Sequence, residues 1–105
     1  MNDIHVIEGD FTAADARFAL VAARFNDAIV ERLIRGAVDA LRRHGVAAER
    51  IHLVKVPGAY ELPAAARLLA RSGRYDALVA LGAVIRGSTP HFDYVAGTCA
   101  QGLST

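Results

Sequence analysis

An α/β fold, with helices packed on a parallel sheet, is the architecture this chain predicts. Three observations carry it. Strand-like apolar runs alternate with amphipathic helical stretches in β-α-β-α-β-α order, the rhythm of right-handed crossovers. The apolar runs are nearly continuous, as in strands buried on both faces. Glycine, proline or a short polar residue marks each change of element. The 105 residues suit one domain, 1–105, and not two.

The elements follow in order. Residues 4–7 (IHVI) suit a short extra strand, and residues 17–23 (RFALVAA) a buried one. In 27–44, Ile29, Val30, Leu33, Ile34, Ala37, Val38 and Leu41 recur with helical period, with Asn26 as natural N-cap and Gly45 as the stop. Residues 51–56 (IHLVKV) form a second strand with Ile51, Leu53 and Val56 on or near the core, and Pro57-Gly58 ends it. Residues 61–72 read as a second helix, Pro63 being tolerated in its first turn and Gly73 following it. Residues 76–82 (DALVALG) form a third strand, and a third helix runs from about Pro90 towards Gln101.

Composition narrows the function classes. Hydrophobic residues make up 53% and charged residues 22%, with a net charge of +1. No basic run suggests a nucleic-acid partner. Cys99 is the single cysteine, so neither an internal disulfide nor a cysteine zinc cluster is available. No apolar run is long enough for a membrane span, and the N-terminus lacks signal-peptide order, so the cytosol is the default location.

Open α/β sheets bind ligands beyond the carboxyl ends of their strands. Here those ends are Arg24-Phe25-Asn26, Pro57 through Glu61, and Gly82 through His91. The last is the richest. A strand end, a glycine-bounded loop and a helix start aim backbone N–H groups and a dipole at one point, which suits an anion. Thr89 fits the N-cap and Pro90 the first helical position, which leaves His91 in the first turn beside any bound anion. Residues 82–89 nearly spell a nucleotide P-loop, but Ser88 stands where its lysine belongs, which argues against a triphosphate.

Each signal has a plainer reading. His91 is either a proton shuttle next to an anion or a surface residue of the helix, and the neighbouring anion site favours the first. Phe25 offers a flat apolar face to a ring or fills the core. Glu61 offers a carboxylate to hydroxyls or simply suits the first turn of its helix. Arg86 is a solvated charge or a subunit contact. Tyr60, Phe92 and Tyr94 read first as packing residues, and Cys99 as an inert buried thiol. His44 suits a helix C-terminus and His52 a strand. No histidine pair has metal-ligand spacing, so no metal is expected.

Taken together, the runs Arg24-Phe25-Asn26, Val56 through Pro63 and Gly82 through Val95 resemble the 6,7-dimethyl-8-ribityllumazine synthase family of riboflavin biosynthesis. They occur in the family's order and spacing, and the resemblance covers residues 15–105. It implies a flavodoxin-like three-layer α/β/α fold. It also implies condensation of 5-amino-6-(D-ribitylamino)uracil with 3,4-dihydroxy-2-butanone 4-phosphate, without metal or organic cofactor. Phe25 would stack on the pyrimidine. Ala59, Tyr60 and Glu61 would hold that substrate, with Glu61 on the ribityl hydroxyls. Backbone at Ala83, Val84 and Ile85 would contact the uracil edge, Ser88 and Thr89 would bind the phosphate, and His91 would transfer protons.

The family implies homopentamers, in places larger icosahedral shells, with riboflavin synthase as a further partner. Its members continue past the position of Thr105 with a last strand, two helices, an aromatic that helps close the site and an arginine that clamps the phosphate. Those late groups reach the site from the neighbouring subunit. One side of a shared site is therefore expected in these 105 residues, with weak turnover by them alone and strand 76–82 as an apolar edge. Two other readings remain: a non-catalytic binding or shell-forming subunit of the same family, and a generic phosphate-binding domain.

Overall fold

A computed structural model of the chain describes residues 4–5, 15–86 and 91–104, with His91 and Phe92 described by backbone alone. Strand β1 (Phe18–Ala23), helix α1 (Asp27–Arg43), strand β2 (Ile51–Val56), helix α2 (Leu62–Arg71), strand β3 (Ala77–Leu81) and helix α3 (His91–Ser104) follow in the expected order. Short 3-10 turns at Ala48–Arg50 and Ala59–Glu61 precede β2 and α2. Ile4 and His5 carry no strand, and Val6 and Ile7 of the expected 4–7 strand lie outside the described residues.

The sheet is parallel throughout, in the order β2-β1-β3. Its first strand is thus its centre. Ala19, Leu20, Val21, Ala22 and Ala23 are all 0–1% exposed, because both faces are covered and both edges paired. On one face Ala22 packs with Val30 and Ile34 of α1. On the other, Val21 and Ala23 pack with Ala59 and Leu62, and Val95 and Cys99 of α3 close over them. The result is a three-layer α/β/α arrangement, consistent with the flavodoxin-like expectation. The residue at position 102 has to be glycine, since a Cβ there would fall 2.7 Å from Pro63 where α3 crosses α2.

Three expectations of burial need correcting. Leu53 is 45% exposed, because among the described residues β2 is an edge strand and α1 lies mainly across β1 and β3. Only the inner half of the α1 stripe is covered: Val30 and Ile34 are buried, whereas Ile29 and Leu33 are 45% and 40% exposed. Tyr60 and Tyr94 are not packing residues. Tyr60 stands on the turn before α2, and Tyr94 points off the Val95–Cys99 line that meets the core. Phe92's side chain lies outside the described residues.

Local chemistry accounts for several ends. Gly45 and Gly73 take φ of 89° and 70° after α1 and α2, the left-handed stop that favours glycine. The His44 ring meets the Ala40 carbonyl at 2.7 Å, at the helix C-terminus expected for it. On the β2 side of α1, Lys55 donates to Glu31 at 2.9 Å, and that bond and charge hold the Glu31 carboxyl below its ordinary range. Burial pushes the half-buried Cys99 thiol up, as suits an unreactive one. No helix among the described residues is long and apolar enough to cross a membrane.

Candidate functional site

Register decides where the site forms. Ala23 stands opposite Val56 and Ala22 opposite Leu81, so all three strands leave the sheet level at one end. The exits then hold one another. Arg24 N–H donates to the Val56 carbonyl at 2.8 Å and Phe25 N–H to the Pro57 carbonyl at 3.1 Å, carrying the ladder past the strands. The Asn26 side chain reaches the third exit, its Nδ2 donating to the Ala83 carbonyl at 2.8 Å.

A cleft of about 260 Å³ opens between these exits. Phe25, Ala59, Tyr60, Glu61, Ala83 and Val84 all line it, so six of the seven residues expected on the pyrimidine side meet at one place. The seventh, Ile85, is not among the lining and is 62% exposed. Phe25 is 66% exposed, so its ring is available to a ligand and does not fill the core. Ala59 is buried and Val84 packs on the α2-side core, which gives the apolar wall a rigid backing. The Glu61 carboxylate sits where a Cβ on Gly58 would come within 3.2 Å of Oε2, so a side chain at 58 would crowd it. The carboxylate also stands at the N-terminus of α2, where the helix dipole favours its charge.

Pro57 and Val95 also line the cleft. From the sequence Pro57 reads as a strand stop, and Val95 as part of a helix. The helical spacing of Val95 and Cys99 is the signal that places Val95 inward. Asn26 differs more. It occupies the cap position of α1, but at φ 62° and ψ 50° and without a side-chain capping bond. Its amide serves Ala83 instead.

The phosphate side is placed less fully. Gly87, Ser88, Thr89 and Pro90 lie outside the described residues, including the expected Thr89 cap. The backbone of His91 opens α3, and its side chain is outside the description. At the flanks of this interval Arg86 and Asp93 pair at 3.3 Å, both well exposed, a contact worth about 0–1 kcal/mol. Arg86 is therefore engaged within its own chain. A larger cleft of about 700 Å³ runs between α2, Leu78 and the end of α3, lined in part by Arg67 and Arg71. It holds none of the strand-exit residues, and size alone does not make it the site. Among the described residues, no three His, Cys, Asp or Glu side chains gather to hold a metal.

Comparison with known proteins gives this geometry a family. Residues 15–105 match the family model described as 6,7-dimethyl-8-ribityllumazine synthase. The chain is 55% identical over 104 residues to the 6,7-dimethyl-8-ribityllumazine synthase of Nitratidesulfovibrio vulgaris (strain DSM 19637 / Miyazaki F). That match covers 99% of this chain and 67% of the relative. With the apolar cleft, its ring face and its carboxylate all at the level end of a parallel sheet, the chain belongs to the 6,7-dimethyl-8-ribityllumazine synthase family.

Proposed function

We propose that this chain catalyses the reaction of its family, joining 5-amino-6-(D-ribitylamino)uracil to 3,4-dihydroxy-2-butanone 4-phosphate with loss of phosphate. The observation that carries the reading is the convergence of Phe25, Tyr60, Glu61 and the Ala83–Val84 backbone on one cleft. That set matches the pyrimidine substrate in kind. Phe25 presents a π-face to a planar ring. Peptide groups beside it offer donors and acceptors to the uracil edge. Glu61 accepts hydrogen bonds from the ribityl hydroxyls, which charge assistance strengthens.

The second substrate falls to Ser88, Thr89 and the N-terminus of α3, where backbone N–H groups and the dipole suit a phosphate. His91 follows directly and carries protons during imine formation and phosphate elimination, the work of a general acid and base near neutral pH. Self-association as a homopentamer or a larger shell, and contact with riboflavin synthase, belong to this same reading. So does a cytoplasmic setting.

A turnover assay tests it. Mixing the protein with both substrates is expected to yield 6,7-dimethyl-8-ribityllumazine and phosphate faster than the substrates react alone. Pyrimidine binding without product would replace the reading with a non-catalytic subunit. Phosphate binding without pyrimidine binding would reduce it to a generic anion site.

A further inference from the structure

We infer that Asn26 is a positioning residue for the pyrimidine half of the site: its amide holds the Ala83 carbonyl and so sets the ring-reading Ala83–Val84 backbone against Phe25. The inference rests on the proposed function and deepens it. Four observations carry it. Asn26 is the one non-glycine residue with positive φ among the described residues, at 62°. That conformation carries a steric cost for most side chains, and asparagine tolerates it best. The residue opens α1, since Ile29 and Val30 N–H both donate to its carbonyl, yet its side chain forgoes the capping bond that asparagine ordinarily makes there. That side chain instead spans 57 positions of sequence to the Ala83 carbonyl, at 2.8 Å and partly buried.

The neighbouring residue completes the device. Phe25 N–H is tied to the Pro57 carbonyl, so the dipeptide Phe25-Asn26 joins the exits of all three strands. The acceptor is a carbonyl, so the amide nitrogen must face it and the amide orientation is fixed. Losing the bond removes a direct tie between the chain after β3 and the Phe25 turn. Hydrogen bonds from a peptide edge to a ring weaken steeply with small displacements and misalignment, and the affinity for the pyrimidine falls with them.

The test separates the amide from the backbone conformation. Asn26→Gly keeps the left-handed turn without steric cost and removes only the side chain. Asn26→Asp keeps the size and turns the donor into an acceptor. Each is titrated with 5-amino-6-(D-ribitylamino)uracil and with inorganic phosphate, and amide hydrogen exchange is followed along the chain. We expect pyrimidine affinity to fall about 3- to 10-fold in both variants, the range of one net hydrogen bond. Phosphate affinity is expected to stay within about twofold. Exchange is expected to quicken at residues 83–85 and not in β1. Wild-type pyrimidine affinity in both variants overturns the inference alone. So does equal loss of both ligands with faster exchange throughout, which marks a general structural role. A wild-type chain that fails to bind the pyrimidine overturns the proposed function and this inference with it.

Discussion

Phe25 can be lost from the site without cost to the fold. Phe25 is 66% exposed and lines the cleft, and its backbone N–H is tied to the Pro57 carbonyl. Removing the ring therefore separates binding from stability. Phe25→Ala is expected to weaken pyrimidine binding by about 5- to 150-fold, the range of one ring stacked on an aromatic face. The unfolding free energy from urea denaturation should hold within about 0.5 kcal/mol, as is usual for surface changes. Titration beside urea denaturation checks both, and an unchanged affinity would remove Phe25 from the site. Tyr60 belongs to the same class, exposed at the cleft edge and unneeded by the core. Asn26 differs in kind, because its contact lies between protein groups and its effect on the ligand is indirect.

Strand β1 carries the most of any element. Among the described residues it is the only strand paired on both sides and covered on both faces, and Leu20 at its middle stands between Leu53 and Val79 with 0% exposure. Leu20→Ala leaves a cavity there and should cost about 2–5 kcal/mol. The measurement is a urea midpoint, expected to fall with an unchanged slope. A loss below about 1 kcal/mol would mean that the sheet collapses around the gap. Most elements were legible in the sequence. Continuous apolar runs, helical periodicity and the glycines at 45 and 73 mark them to within a few residues of their observed ends. Strand order was not legible, because nothing local in IHLVKV says that β2 is an edge, and this is why Leu53 was misjudged. Asn26 takes the cap position that local grammar gives an asparagine before a helix, but the use of its amide is not local: the Ala83 carbonyl that claims it in place of a capping bond is far away in sequence. The cleft was legible because parallel register places all strand exits at one end.

At the scale of the whole molecule, the described residues form a small buried core and leave a good deal of apolar surface. Leu20, Val21, Val30 and Val46 are its largest fully buried side chains among the described residues. Ile29 and Leu33, one turn apart on the flank of α1 away from Glu31, remain 45% and 40% exposed, and Leu53 is 45% exposed on the β2 edge. Burial of the exposed apolar residues between copies would add apolar area at about 25 cal/mol per Å². The self-association put forward with the proposed function would supply such burial. Stability should then depend on concentration, because association stabilises only the folded chain. Each tenfold rise in chain concentration is expected to stabilise the fold by on the order of 1 kcal/mol, which at this size raises Tm by about 4–8 °C. Leu33→Lys, which plants a charge on the exposed stripe without touching Val30 or Ile34, should flatten that dependence if the stripe is part of the contact. Thermal melts over two decades of concentration, beside sedimentation, decide it. A melt independent of concentration, with the mass of one 11.2 kDa chain, would show that these surfaces stay open.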